Sequence, residues 1–505
     1  MSNFKPLLKH ELLRHLYSLK FITMSVFAVV FGIVCVYIQL MDFQDRKQTY
    51  DEEVFKSKNV LETVKFYSQL NIPIIIEPNP LSIFCKGEDA KIGNKINISV
   101  MDVPQFENTS QIKNPFLAIF DSMDLVTLIQ IIFSVMTLFL VADSIAGERE
   151  EGTLRQIFAN RVLRTQYFWA KFLGSLIILA IPLVLIFLLT GIIFLLTSFI
   201  SLQPIQWFQI ILIFACCLAF ISIYILIGLM ISARSSSAAQ SVLFGLLIWI
   251  FLIFIYPNIT NYVVSQIVKV PTEDYMNRQI EQKKSQIKDQ VMSVEPEQTY
   301  DSFSCSYCNM GGYYGLHEIV AVSSKAVLDF IAEHMKRAHP LILAGQEDIY
   351  RQMLEFKQQF IRQHKIANMF IRLLPGTLLR EATTQIAGTH FSHRDLAYLL
   401  QAKEYRNQIV NYVKSKNGFG YKFFTRIPPN EMKNSYNDYT EEERQQYTPY
   451  NLAPLNLTDM PVYQNINMPI VPTASLIDLV SLLVFNIVLF LISGFLFIHS
   501  DVRQR

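Results

Sequence analysis

The residues best equipped for chemistry in this chain are its thiols. Cys305-Ser-Tyr-Cys308 sets two cysteines three apart, with His317 nine residues on and Cys85 elsewhere in the chain. Thiols at that spacing serve three chemistries: a structural disulfide, a soft-metal site for Cu(I) or Zn, or a reactive thiol pair. The disulfide would join Cys305 to Cys308, or one of them to Cys85. A metal needs further ligands, and the sequence identifies none, so Cys305 and Cys308 are weak metal candidates. Cys35, Cys216 and Cys217 lie in apolar runs, where a free cysteine packs as a small hydrophobe.

Catalytic signatures are missing. The chain has no G-x-x-x-x-G-K-[ST] phosphate loop and no G-x-S-x-G nucleophile elbow, and His317-Glu318 lacks the second histidine of an HExxH pair. No catalytic residue and no cofactor bound by the chain itself is therefore assigned. A net charge of +2 implies no nucleic-acid face.

The elements that would position such groups are membrane helices. With 505 residues and 51% apolar side chains, the chain suits membrane spans joined to sizeable aqueous parts. Residues 1–20 read as an amphipathic interfacial helix, with Phe4, Leu7, Leu8, Leu12, Leu16 and Leu19 on one face. Long apolar runs then predict spans at 21–41, 125–147, 168–199, 207–232, 239–256 and 477–499. Arg149, Arg155, Arg161, Arg164 and Lys171 follow the second span, which puts that loop, residues 148–167, on the cytoplasmic side. Both termini, including the tail 500–505, then lie there too. The segments 42–124 and 257–473 are expected on the opposite, extracytoplasmic side. The second of these is mainly helical in pattern: a polar stretch carries a thin seam of Met276, Ile280, Ile287 and Val291, as in the arm of a helical hairpin. The fold class expected is an α-helical integral membrane protein of six spans with a mainly helical extracytoplasmic domain.

Within 148–167, Leu154, Ile157 and Phe158 recur at helical spacing after Gly152. A short amphipathic helix there cannot cross a membrane, and its apolar face needs a partner or the membrane surface.

The run G-E-R-E-E-G-T-L at residues 147–154, just after the second span, resembles the permease subunits of type-2 ABC exporters. The NosY-like and GldF-like branch, linked to multi-copper enzyme maturation and gliding motility, is the nearest in pattern. Gly388-Thr389, Phe391 and Tyr405-Arg406 resemble a helical insert between the fifth and sixth spans of the same branch. The resemblance implies that the short helix is a coupling helix docking an ATPase subunit, which would supply the ATP site. On that reading Glu148, Glu150, Glu151, Gly152, Thr153, Leu154, Ile157, Phe158 and Arg161 form the contact. It also implies an inner-membrane location, a second permease subunit (a second copy or a paralogue), lipid around the spans and export. The other reading open at this point is a mechanical or scaffolding membrane component whose external domain grips a periplasmic protein.

Overall fold

The computed structural model describes residues 4–87, 95–106, 123–160, 162–293, 322–372, 374–448, 450–463 and 473–499. Six helices there are long and apolar enough to cross a membrane: Leu19–Thr63, Leu125–Glu150, Arg164–Leu196, Pro204–Arg234, Ala238–Ile267 and Leu476–Ile498, here the first to sixth spans. The chain is an α-helical integral membrane protein. A helix α1, Phe4–Leu16, precedes the first span and packs along the third.

The fourth span is the core of the bundle. In its most apolar stretch 67% of the residues are buried, against 11% in the fifth and sixth spans. Those two outer helices leave their apolar faces for something outside this chain. The first span overruns any bilayer: its 45 residues measure about 67 Å at 1.5 Å per residue. No glycine or proline interrupts Asp42–Thr63, so the helix continues as a stalk. Pro182 sits buried inside the third span, which remains one helix from Arg164 to Leu196.

Two spans depart from α geometry. The second contains a π turn at Ile129–Phe133 and the fifth another at Phe251–Ile255. In the fifth the reason is local: Pro257 has no N–H to donate to the preceding turn. The widened turn absorbs that loss, and Asn258 Nδ2 donates to the Phe254 carbonyl at 2.8 Å. The two π turns belong to neighbouring helices, joined by Trp249 Nε1 donating to Ser134 Oγ at 2.8 Å.

Beyond the first span's stalk lies an antiparallel sheet, β1 (Asn71–Ile75), β2 (Lys95–Ser99) and β3 (Gln105–Phe106), in that order. The register pairs Ile72 with Ile98 and Ile74 with Ile96. All four isoleucines are buried, in a cluster that includes Ile409, Val413, Phe423 and Phe424. Alternation at period two thus gives a small sheet one covered face.

After the single helical turns of this region come α2 (Thr153–Ala159), α3 (Glu273–Met292), α4 (Lys325–Ile371), α5 (Pro375–Ala387) and α6 (Phe391–Ser415). Helices α3 and α4 form the expected hairpin arm. Ile280, Ile287 and Val291 of its seam bury against Ala338, Ile342, Ile349 and Tyr350. Gly345 permits the approach, since a Cβ there would collide with Ile287.

Helix α5 is the surprise of the fold. It follows the long arm yet turns back into the bundle, packing on the fourth and sixth spans with nearly every residue buried. Pro375 opens it, and Gly388 closes it at φ +73°, the left-handed cap that glycine takes without strain. A buried helix end leaves carbonyls to satisfy. Gln209 Nε2 of the fourth span donates to the Ile386 carbonyl at 2.8 Å, and Asn79 Nδ2 to that of Ala387 at 2.5 Å.

Candidate functional site

Glu148, Arg149 and Glu150 are consecutive, and each is spent on a different part of the bundle. Helical geometry forces this, since neighbours along a helix point about 100° apart. Glu148 turns toward α1 and the third span. Its Oε1 lies 2.5 Å from Lys171 Nζ and also accepts from Arg14, while Tyr167 Oη donates to its Oε2 at 2.5 Å. Lys171 Nζ reaches on to Glu11 Oε1 at 2.6 Å, and His15 Nε2 stands 3.6 Å from Glu11 Oε2. Lys171 is wholly buried, and Glu11, His15 and Glu148 are each only 5% exposed. Two carboxylates face two cations, so the charges of the cluster balance within the protein. Burial pushes the His15 imidazole down to about 4, helped by the Lys171 and Arg14 cations against the pull of Glu11 and Asp143.

Arg149 turns the other way. Its two terminal nitrogens donate to the carbonyls of Ser235 and Ala233, at 2.7 and 2.8 Å, where the fourth span ends. A cation over a helix C-terminus satisfies carbonyls that have no intrahelical partner and complements the helix dipole. Nearby, Ser232 Oγ accepts from the N–H groups of Ile145 and Ala146 at 3.0 and 2.9 Å. Glu150 Oε2 accepts from Ala238 N at 2.9 Å, at the first turn of the fifth span. Three adjacent side chains therefore fasten one short segment to α1 and to the third, fourth and fifth spans.

Helix α2 hangs from this joint. Gly152 makes the turn at φ +76°, where an L side chain is strained, and Thr153 Oγ1 closes it by donating to the Glu148 carbonyl at 3.1 Å. The apolar face that the sequence leaves seeking a partner finds one within the chain. Leu154 is 1% exposed, and Phe158 lies 5.4 Å from the Tyr167 ring and 6.4 Å from that of Phe497. Ile157 is partly buried against the same core. What α2 presents outward is its other face: Arg155, Gln156 and Ala159 are exposed, as are Glu150 and Glu151 before it. Arg161 lies outside the described residues.

The sequence singled out Glu148 but not its partners Glu11, Arg14, Tyr167 and Lys171. The signal was present. Glu11 and His15 share the apolar face of α1, an odd place for charge, and Lys171 directly precedes a charge-free run of 62 residues. The three aspartates at span ends are likewise paired: Asp143 with Lys20 at 3.0 Å, Asp478 with Arg372 at 3.0 Å, and Asp124 with the backbone of Lys86 and Thr127 at 2.9 and 2.7 Å.

Of the thiols, Cys305 and Cys308, with His317, lie outside the described residues. Cys85 is a free thiol 3.5 Å from Thr383 Oγ1; its burial, with the Asp124 charge, pushes it well above the ordinary range. Among the described residues no group of three or more His, Cys, Asp or Glu side chains gathers to hold a metal ion.

Compared with known families, residues 6–502 match the one described as "ABC-2 family transporter protein". That span takes in the six membrane helices, the joint and the insert together. The chain belongs to the ABC-2 transporter family. No curated protein matches it significantly. The protein is thus a membrane permease subunit of an ABC transporter, a transport component of a family not itself catalytic, and the family in general works with an ABC ATPase.

Proposed function

We propose that this permease couples ATP hydrolysis by a separate ATPase subunit to export, with α2 as the docking helix. The observation that carries the reading is the division of labour at residues 148–150: a push on α2 reaches α1 and three spans through Glu148, Arg149 and Glu150. Contact with the ATPase falls on the outward face, through Glu150, Glu151, Arg155 and Gln156. Gly152, Thr153, Leu154, Ile157 and Phe158 shape and seat the helix. Glu148 transmits rather than touches.

The rest of the proposal follows the same axis. This end of the bundle, with both chain termini, faces the cytoplasm across the inner membrane, in keeping with Arg155 and Arg164 beside it. The outer faces of the fifth and sixth spans meet lipid or a second permease subunit, whether a copy or a paralogue. The NosY-like and GldF-like branch is the expected relationship. A second reading has an observation of its own: the arm α3–α4 leads through Arg372 and Leu374 directly into the buried α5. Motion in the bundle would then move the arm against a periplasmic partner, without cargo passing through.

The test is co-purification in mild detergent. The ATPase subunit is expected to accompany the wild-type chain and to be lost from the double variant Glu151→Lys/Arg155→Glu, which alters only exposed side chains. Retention of the ATPase by that variant would place the docking surface elsewhere.

A further inference from the structure

At the end of the bundle away from α2, the second and fifth spans and α5 enclose a cavity of about 450 Å³. Both π turns line it, through Gln130 and Ile131 on one side and Ile253 and Phe254 on the other. We propose that this cavity binds a membrane amphiphile with an uncharged, hydroxyl-rich head group.

Its wall is divided by chemistry. Ile131, Ile253 and Phe254 are apolar, and Phe254 continues onto the outer face of the fifth span, where it is 45% exposed with Phe251 and Ile255 beside it. A hydrocarbon chain reaches the cavity from that face without leaving an apolar surface. The opposite wall is polar. Among the described residues the side chains of Gln130, Asn261 and Thr377 line the cavity with no hydrogen-bond partner in the protein. Amides and hydroxyls offer both donors and acceptors, which matches a polyol better than an ion.

Charge argues the same way. The lining holds one Arg380 and one Glu381, the latter paired with His390 at 3.0 Å. Arg380 and Glu381 are neighbours in the wall and offset one another, so no net field selects a head group of either sign and hydrogen bonding decides. The site is also built to be narrow at one point: Gly376 lies so close to the Gln130 amide that any Cβ would collide with it. The π turns matter here because each widens its helix by one residue at the cavity wall, the usual setting for such turns being a binding site.

The test uses the full-length chain in phosphatidylcholine nanodiscs and measures equilibrium binding of hexadecyl maltoside below its micellar concentration. Saturable binding is expected, weaker by at least tenfold for hexadecyl sulfate and for hexadecyltrimethylammonium. Asn261 is exposed and Gln130 partly so, so Asn261→Ala and Gln130→Ala keep the fold. Each should weaken binding roughly five- to tenfold, the size of one lost hydrogen bond. Non-saturable partitioning, equal binding of the charged amphiphiles, or indifference to both variants would each overturn the site. Free maltose binding as tightly as hexadecyl maltoside would overturn the amphiphile and leave a soluble sugar. No ATPase enters the measurement, so its outcome is separate from that of the docking experiment.

Discussion

The two ends of the helix bundle are built from opposite materials. At one end four ionisable side chains, Glu11, Arg14, Glu148 and Lys171, are locked together with Tyr167, and Arg149 and Glu150 cap two further helices. At the other, two spans lose α regularity, and uncharged amides and hydroxyls face an open cavity. A buried ion cluster is directional and has one low-energy arrangement. On the proposed coupling, force would enter at the ion cluster and be expressed at the cavity end.

The stiff end should break hardest. Lys171→Met leaves Glu11 and Glu148 facing each other in a buried site without their shared cation. A charge stranded in this way costs roughly 3–5 kcal/mol, so the Tm of the purified permease should fall by many degrees. Adding Glu11→Gln and Glu148→Gln should restore much of it, because the stranded charges go. If Lys171→Met melts like wild type, the cluster is not the stiff element described here.

Protonation probes the same end more gently. His15 is held near pKa 4 by burial, below its unfolded value of about 6.5. The unfolded chain therefore binds more protons between those values. Stability is complete above about pH 6.5 and declines as pH falls toward 4, by an amount of the order of 3 kcal/mol. His339, in the α4 arm, is also pushed down to about 4, by burial and the Arg406 and Lys414 cations, and loses stability in the same window. Thermal melts of His15→Leu and His339→Leu across pH 4 to 7 should each flatten part of the slope. A slope untouched by either variant would deny both histidines a buried neutral state.

Arg149→Met tests the joint at the end of the fourth span. Two carbonyls at the end of the fourth span lose their donors, a loss of about 2 kcal/mol. Stimulation of the partner's ATPase by the permease should fall further than stability does, since the link between the short helix and the fourth span is cut. Loss of stability with intact coupling would assign Arg149 to capping alone.

How legible was all this in the sequence? The six spans were, because twenty apolar residues in a row have few other uses. So was the α3 seam, where the period acts locally. The joint was half legible. Glu148 to Phe158 stood out as a polar run with an apolar stripe, but the stripe packs inward, and nothing in residues 147–158 says that Tyr167 and Phe497 wait for Phe158. Helix α5 was read as part of an external insert; its return into the bundle depends on Gln209, Asn79 and Asp478, which are remote in sequence. Partners separated by ninety residues or more leave no local pattern. The π turns were not read from the sequence, although Pro257 marked where one helix had to give way.

Pro257 also offers the smallest and most discriminating prediction. A proline in mid-helix ordinarily costs about 3 kcal/mol, yet here the helix ahead of it already departs from α geometry at residues 251–255, so the missing donor falls beside a widened turn. Pro257→Ala should therefore change stability by less than about 1 kcal/mol, far below the effect of Lys171→Met. What should change is local. With an N–H restored, residues 251–255 are free to return to α geometry, and their amides should exchange with deuterium more slowly. If the variant instead destabilises the permease as strongly as a change in the ion cluster, the π turn is a rigid part of the packing. The two ends of the bundle would then differ in chemistry but not in stiffness.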